Sequence, residues 1–309
     1  MDLSTLRVGV IGVGIMGQNH VRVLSEMTAI ELVAISDPNT EAFSKLRLPP
    51  QTRTYSDYSE LLAHDLDAVV VAVPTVHHHS IVMKALERGI NVLVEKPIAS
   101  TIAQAEEMVA LADDRQLVLM VGHIERFNPA VQAVKTALTH ERPISISITR
   151  VGPFPPRIAD VGIIVDLGVH DIDLIRYLSD SDIVDVQVQK EKTRGLREDI
   201  ALMQFRTQNN ILAQINTNWL TPFKERRIEV SGREQFISCD MLTRSVVTYS
   251  DYKTDGSFVT RHLSVAQIEP LRAELLAFSA AVRKNSTPPV TGRDGLQALK
   301  AALACLEEA

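Results

Sequence analysis

The 309 residues carry 32 Lys and Arg against 38 Asp and Glu, a formal net charge of −6, which argues against nucleic acid or an anionic membrane as the main partner. With 45% hydrophobic and 23% charged residues the chain reads as soluble and globular, with length for about two domains. Cys239 and Cys305 stand far apart and give neither metal-ligand spacing nor a disulfide framework; no basic leader precedes a long apolar core, no run is long enough to span a membrane, and the expected compartment is the cytoplasm.

In chain order, Arg7 to Gly12 is a short apolar run that enters a cluster of glycines, the pattern of a buried parallel strand meeting a tight turn. Glu31 to Ser36, Leu66 to Val73, Ile90 to Val94 and Leu117 to Val121 repeat that pattern. Between them Ile81 to Arg88 and Thr101 to Ala112 have helical spacing, the second opened by Thr101 with Gln104 three residues on, a capping box. Strands alternating with helices predict a parallel sheet covered on both faces. After about residue 125 the period changes. Pro143 to Val151, Ile183 to Gln189, Ile200 to Arg206, Ile211 to Thr217 and Ile228 to Val230 alternate apolar and polar, as in an open antiparallel sheet. Gln204, Gln214, Asn216 and Asn218 suit the wet face of that sheet, through which two copies of the chain would associate. Residues 270–283 and 294–308 read as helices, and Trp219, at a strand end, reads as core. The fold class is α/β. A Rossmann domain with a doubly wound parallel sheet is expected over 1–122, and an α/β domain with a large, mostly antiparallel sheet over 123–309, its last helices packing back on the first domain.

Gly12-x-Gly14-x-x-Gly17 follows the first strand and opens a helix, and Asp37 ends the second strand twenty residues on. Gly12 makes the turn, Gly14 admits the pyrophosphate, Gly17 lets helix and strand approach, and Ile15 and Met16 open the helix whose free N–H groups face the phosphates. Asp37 would accept from the adenosine ribose and repel the extra phosphate of NADP, so the expected cofactor is NAD. Pro74-Thr75 closes the third strand at the carboxyl edge, where ligands of such sheets lie. Glu95-Lys96-Pro97 ends the fourth. A lysine there points into the ligand crevice, and the proline fixes the chain, with a cis bond one way of doing so. His77-His78-His79 looks like a metal tract, but three adjacent residues share no helix face, and no metal is expected.

Those motifs, with His78 and with Asp166-Leu-Gly-Val-His170-Asp171-Ile-Asp173, resemble the Gfo/Idh/MocA oxidoreductase family over essentially the whole chain. The resemblance implies NAD-dependent oxidation of an alcohol, with Lys96, Asp166 and His170 around the reacting carbon. It implies Pro74, Thr75, His78, Glu95 and Lys96 beside the cofactor, and a homodimer or homotetramer built through the open sheet. One departure is Ala159 to Val165, where many members carry several glycines. A narrower likeness in Gly122 to Pro129 and Pro155 to Gly162 is to dehydrogenases that oxidise C3 of UDP-N-acetylglucosamine. On that reading His123, Arg126, Asn128 and Arg157 are substrate contacts, arginine suiting diphosphate and asparagine an acetamido group. Asp166 and His170, four apart, share a helix face, and His170 is expected as base with Lys96 as electrostatic stabiliser, or the reverse. Another UDP-sugar or a polyol as substrate, an NAD-using glycoside hydrolase, and a non-catalytic dinucleotide sensor stay open as rival readings.

Overall fold

The computed structural model describes residues 5–155 and 161–308. The chain forms two units. The first runs to Ile124 and takes in Leu271–Leu296; the second comprises Glu125–Pro270 and the chain from Gln297 on. The first unit ends two residues beyond the expected boundary at 122, and it takes in Leu271–Leu296 from the last helices, the stretch expected to pack back on the first domain.

In the first unit the elements are β1 (Leu6–Ile11), α1 (Ile15–Ser25), β2 (Ile30–Ser36), β3 (Arg53–Tyr55), α2 (Tyr58–Leu61), β4 (Ala68–Val71), α3 (His78–Glu87), β5 (Asn91–Glu95), α4 (Ile102–Arg115) and β6 (Leu119–Gly122). The six strands are parallel, in the order β3-β2-β1-β4-β5-β6. The order reverses between β1 and β4, and such a reversal opens a crevice at the carboxyl edge. Val10, all of β4 and Val92 to Val94 are fully buried; strands covered on both faces need uninterrupted apolar runs, each such side chain contributing about 1.5–3 kcal/mol on leaving water. Thr101 caps α4 by accepting from the Gln104 N–H, as the capping box predicts. β3 is three half-exposed or exposed residues and leaves no such signal.

The second unit contains α5 (Pro129–Ala137), β7 (Ser145–Pro153), α6 (Val169–Ser179), β8 (Ile183–Glu191), β9 (Ile200–Thr207), β10 (Leu212–Asn218), β11 (Leu220–Ser231), β12 (Gln235–Asp240), β13 (Ser245–Ser250) and β14 (Val259–His262). The helices α7 (Pro270–Lys284) and α8 (Gly292–Glu307) complete the chain. The eight strands run β14-β13-β12-β11-β7-β10-β9-β8, antiparallel except where β7 meets β10. Ile146, Ile148, Ala201, Met203, Phe205, Ala213 and Ile215 face the core with Ile172, Ile175 and Leu178 of α6, the alternation that sequence predicts. Gln204, Gln214 and Asn216 are exposed on the other face. Asn218 is not: it is buried and caps the turn into β11 by accepting from the Leu220 N–H. Leu202 and Leu212 are half-exposed on that face, so it is less polar than its amides suggest. Trp219 is core, edge-to-face with Phe154. Cys239 and Cys305 are buried, and burial pushes both thiols up to about 12, which makes them poor nucleophiles. No described helix is long and apolar enough to cross a membrane.

Candidate active site

The glycine turn follows from the backbone. Gly12 has φ +88°, and a Cβ there would lie 2.5 Å from the Ala72 carbonyl oxygen. At Gly17 a Cβ would lie 1.9 Å from the Gly12 oxygen, whereas at Gly14 it would meet nothing within 4 Å among the described residues. Gly12 and Gly17 are therefore required by the protein itself, and Gly14 leaves space for a ligand. Gly14 precedes α1 without capping it by a side chain, and the first turn holds no acid. The positive end of the helix dipole and its free N–H groups are thus offered to an anion. Asp37 accepts from the Val13 N–H at 2.8 Å and from the Asn39 N–H at 2.8 Å, which ties the end of β2 to the glycine turn. Gly12, Gly14, Asp37 and Pro74 line a cleft of about 860 Å³. Asn39, Tyr58 and His77 also line it, and sequence reasoning missed them. Ile15 and Met16 occupy the first turn of α1 and Thr75 opens the short turn before α3. A glycine cradle, an open helix N-terminus and a carboxylate at the second strand end fit a dinucleotide.

Gly17→Ala is expected to destabilise the fold by about 1–3 kcal/mol, because the new methyl group cannot be accommodated. Gly14→Ala is expected to keep the melting temperature and to weaken NADH binding at least about tenfold, or 1.4 kcal/mol. Calorimetry and fluorescence titration separate the two; equal losses of stability would refute the assignment.

Behind the cleft, two residues expected at the cofactor turn inwards. His78 is buried, its ring nitrogens 2.9 Å from the Pro97 oxygen and 2.9 Å from the Val73 oxygen. Burial pushes its pKa down, against the opposing pull of the Val73 and Pro97 carbonyls, and a neutral ring donates to one side at a time. His78 thus braces the loops after β4 and β5 against each other. Glu95 is also buried, 2.8 Å from His20 Nε2, and accepts from the Lys96 N–H. The next residue, Lys96, is half-buried and joined to Pro97 by a cis bond. The histidine triplet diverges, as expected: His77 lines the cleft, His78 is buried, and His79 meets Glu107 at 2.6 Å. His123 is buried just beyond β6.

In the second unit Asp166 sits in a π-helical turn, Ile164–Gly168, that runs into α6, and His170 is the second residue of α6. Both are half-buried. The wider turn departs from the regular helix assumed from sequence, and such turns are frequent at functional positions. Two expected substrate contacts are engaged with protein groups. Arg126 is buried and donates to both oxygens of Asp173, at 2.7 and 2.6 Å, with its guanidinium 5.1 Å from the Tyr177 ring centre. Asn128 is buried and caps α5 by accepting from the Ala130 N–H. Arg157 lies outside the described residues. A buried ion network that sequence reasoning missed stands beside His170. Arg150 donates to both oxygens of Asp171 at 2.9 Å and to Glu125 at 2.9 Å, and Arg226 donates to Glu125 at 3.1 Å. Burial opposes the charge on Arg150, but Asp171 and Glu125 outweigh it and hold the guanidinium protonated. Burial likewise opposes ionisation of Glu125, but Arg150 and Arg226 keep it below the usual carboxylate range. At Asp171 burial prevails and the pKa rises.

A glycine-cradled cleft at the switch point of a parallel sheet, with a lysine at the next strand end, defines a dinucleotide-dependent oxidoreductase. Residues 6–123 match the model described as "Oxidoreductase family, NAD-binding Rossmann fold", and residues 131–238 match the "GFO/IDH/MocA C-terminal domain". The chain belongs to the Gfo/Idh/MocA oxidoreductase family, and its cofactor is NAD. It is 28% identical to the UDP-N-acetylglucosamine 3-dehydrogenase of Acidithiobacillus ferrooxidans over 96% of this chain and 95% of that one. A solved structure of that enzyme superposes with a TM-score of 0.89 at 27% identity, covering 98% of this chain and 99% of the other. The myo-inositol 2-dehydrogenase of Thermotoga maritima is 27% identical over 95% of this chain and 93% of its own.

Proposed function

We propose that the protein oxidises a secondary hydroxyl of a nucleotide-linked sugar, C3 of UDP-N-acetylglucosamine, to the ketone. The end-to-end likeness to an enzyme named for that reaction carries this reading. NAD, when bound, supplies the hydride acceptor. His170 takes the hydroxyl proton as general base, a task suited to an imidazole at neutral pH. Lys96 stabilises the developing alkoxide by its charge, and Asp166 orients the hydroxyl. Arg126 and Asn128 shape the substrate side from within through Asp173 and α5. His123 and Arg157 keep their assignment as substrate contacts. The chain works as a homodimer or homotetramer through the open face that carries Leu202 and Leu212.

The test is mass spectrometry after incubation with UDP-N-acetylglucosamine, NAD, a sugar aminotransferase and an amino donor. Oxidation of an alcohol by NAD is uphill near neutral pH, so removal of the ketone makes turnover visible. A nucleotide-linked amino sugar is the expected product, and light scattering of the same preparation is expected to give two or four chains. NAD reduction with myo-inositol and none with the nucleotide sugar would move the substrate to polyols. Release of a free sugar from a glycoside without net NADH would replace dehydrogenation by hydrolysis.

A further inference from the structure

Glu274 belongs to no motif. It lies on α7, within the first unit, and is fully buried. Neither of its carboxylate oxygens has a hydrogen-bond partner among the described residues. An ionised carboxylate in that position would cost several kcal/mol without compensation, so the group holds its proton. Its named electrostatic neighbour is Glu95, which is engaged with His20 and with the Lys96 N–H. Three fully or nearly buried titratable groups thus belong to one unit: His20 on α1 and Glu95 at the end of β5, in contact with each other, and Glu274 on α7, which feels the Glu95 charge. The other charged or titratable groups on these elements and next to them are Arg22 on α1 and Glu26 at its C-terminal cap, Arg272, Arg283 and Lys284 on α7, Lys96 and His123. Glu26 pairs with Arg272 of α7, and His123 follows Gly122, the register partner of Glu95. Burial, and then the Glu95 charge, raise the Glu274 pKa well above the carboxylate range. At Glu95 burial works the same way, but His20 and Lys96 overcome it and hold its pKa low. Two acids in one dry site are pushed apart, one charged and one neutral, a division that assigns them separate roles.

We propose that Glu274 is a positioning residue for the dinucleotide half of the site: as a neutral acid it leaves Glu95 free to hold His20 and the Lys96 amide, and its ionisation weakens NAD binding. The link is structural. His20 rides on α1, whose N-terminus faces the cleft, and Glu95 immediately precedes Lys96. A second negative charge near Glu95 repels it and loosens both ends of that tie. The inference rests on NAD binding and not on the proposed sugar.

The experiment is calorimetric titration of the whole protein with NAD from pH 7 upwards to the highest pH at which melting curves show it folded, for the natural chain and for Glu274→Gln and Glu274→Leu, which are neutral at every pH. The natural chain is expected to lose affinity at least about fivefold across that range, the lower end of ordinary site-to-site coupling, while both variants stay level. A pH dependence unchanged in both variants, or none in the natural chain, overturns the proposal. So does loss of NAD affinity at pH 7 in a folded Glu274→Leu protein. Melting curves add a second arm. A carboxyl whose folded pKa is raised keeps its proton while the unfolded chain releases it above about 4.3, so folding is penalised increasingly as pH rises. Glu274→Leu is therefore expected to melt higher than the natural chain, by a margin that widens with pH. A margin that does not widen means the folded group is already ionised, and the proposal fails.

Discussion

His170→Asn is expected to lower kcat by about 10²–10⁴, the usual contribution of a positioned general base. NADH affinity and melting temperature are expected to stay near those of the natural chain, because His170 is only half-buried, in the first turn of α6. Lys96→Met is expected to cost about 10²–10³ for the lost electrostatic stabilisation. The two losses are told apart by chemical rescue. Added imidazole restores part of the rate to His170→Gly if the ring transfers the proton, and a small primary amine restores Lys96→Ala if the ammonium does. Activity within fivefold of the natural chain in His170→Asn would remove the base assignment. Rescue of the lysine variant alone would give the proton transfer to Lys96.

Arg150→Met is expected to be the most damaging change away from the reacting groups. It leaves Asp171 buried without its guanidinium and Glu125 with Arg226 and Asn128. Removing one partner of a buried ion pair costs about 3–5 kcal/mol, because the other charge stays desolvated; in a chain of this size that lowers the melting temperature by about 5–8 °C. The damage comes from the stranded acid, so the double change Arg150→Met with Asp171→Leu is expected to recover much of the loss. A single variant that melts within about 2 °C of the natural chain, or a double variant worse than the single one, would show that the network carries little energy.

What could be read from the sequence follows from where burial leaves a pattern. β1, β2, β4 and β5 are covered on both faces, so their apolar runs were plain, and the glycines were legible because their spacing answers to a backbone turn. β12 to β14 were not recognised. Gln235–Asp240 has half-buried Gln235 and Phe236 before any inward alternation, and Val259–His262 is exposed throughout. The motif residues Lys96, Asp166 and His170 were visible as types in order. That Arg126 would be spent on Asp173, 47 residues away, depends on how α6 packs and has no local signal. Asn128 did carry one, since an asparagine followed by proline at the first helical position reads as a cap. Glu274 carried another: with Leu271, Leu275 and Phe278 it falls on the buried stripe of α7, and an acid among such residues marks a site to inspect.

The outer edge of β6 is met by residues that come much later in the chain. The Val121 N–H donates to the Val290 oxygen, Met120 bridges to Thr291, and Gly292 and Gly295 lie against Leu119 and Val121. During synthesis, therefore, the nucleotide-binding half cannot be finished when its first 124 residues leave the ribosome; β6, paired with β5 on one side, waits with its other edge open until Val290 to Gly295 have been made. Such an edge is a template for pairing with the wrong chain. Expression of residues 1–124 alone would give a fragment with the outer edge of its sixth strand bare, and any dissection of the gene has to carry the segment that reaches residue 296 along with it.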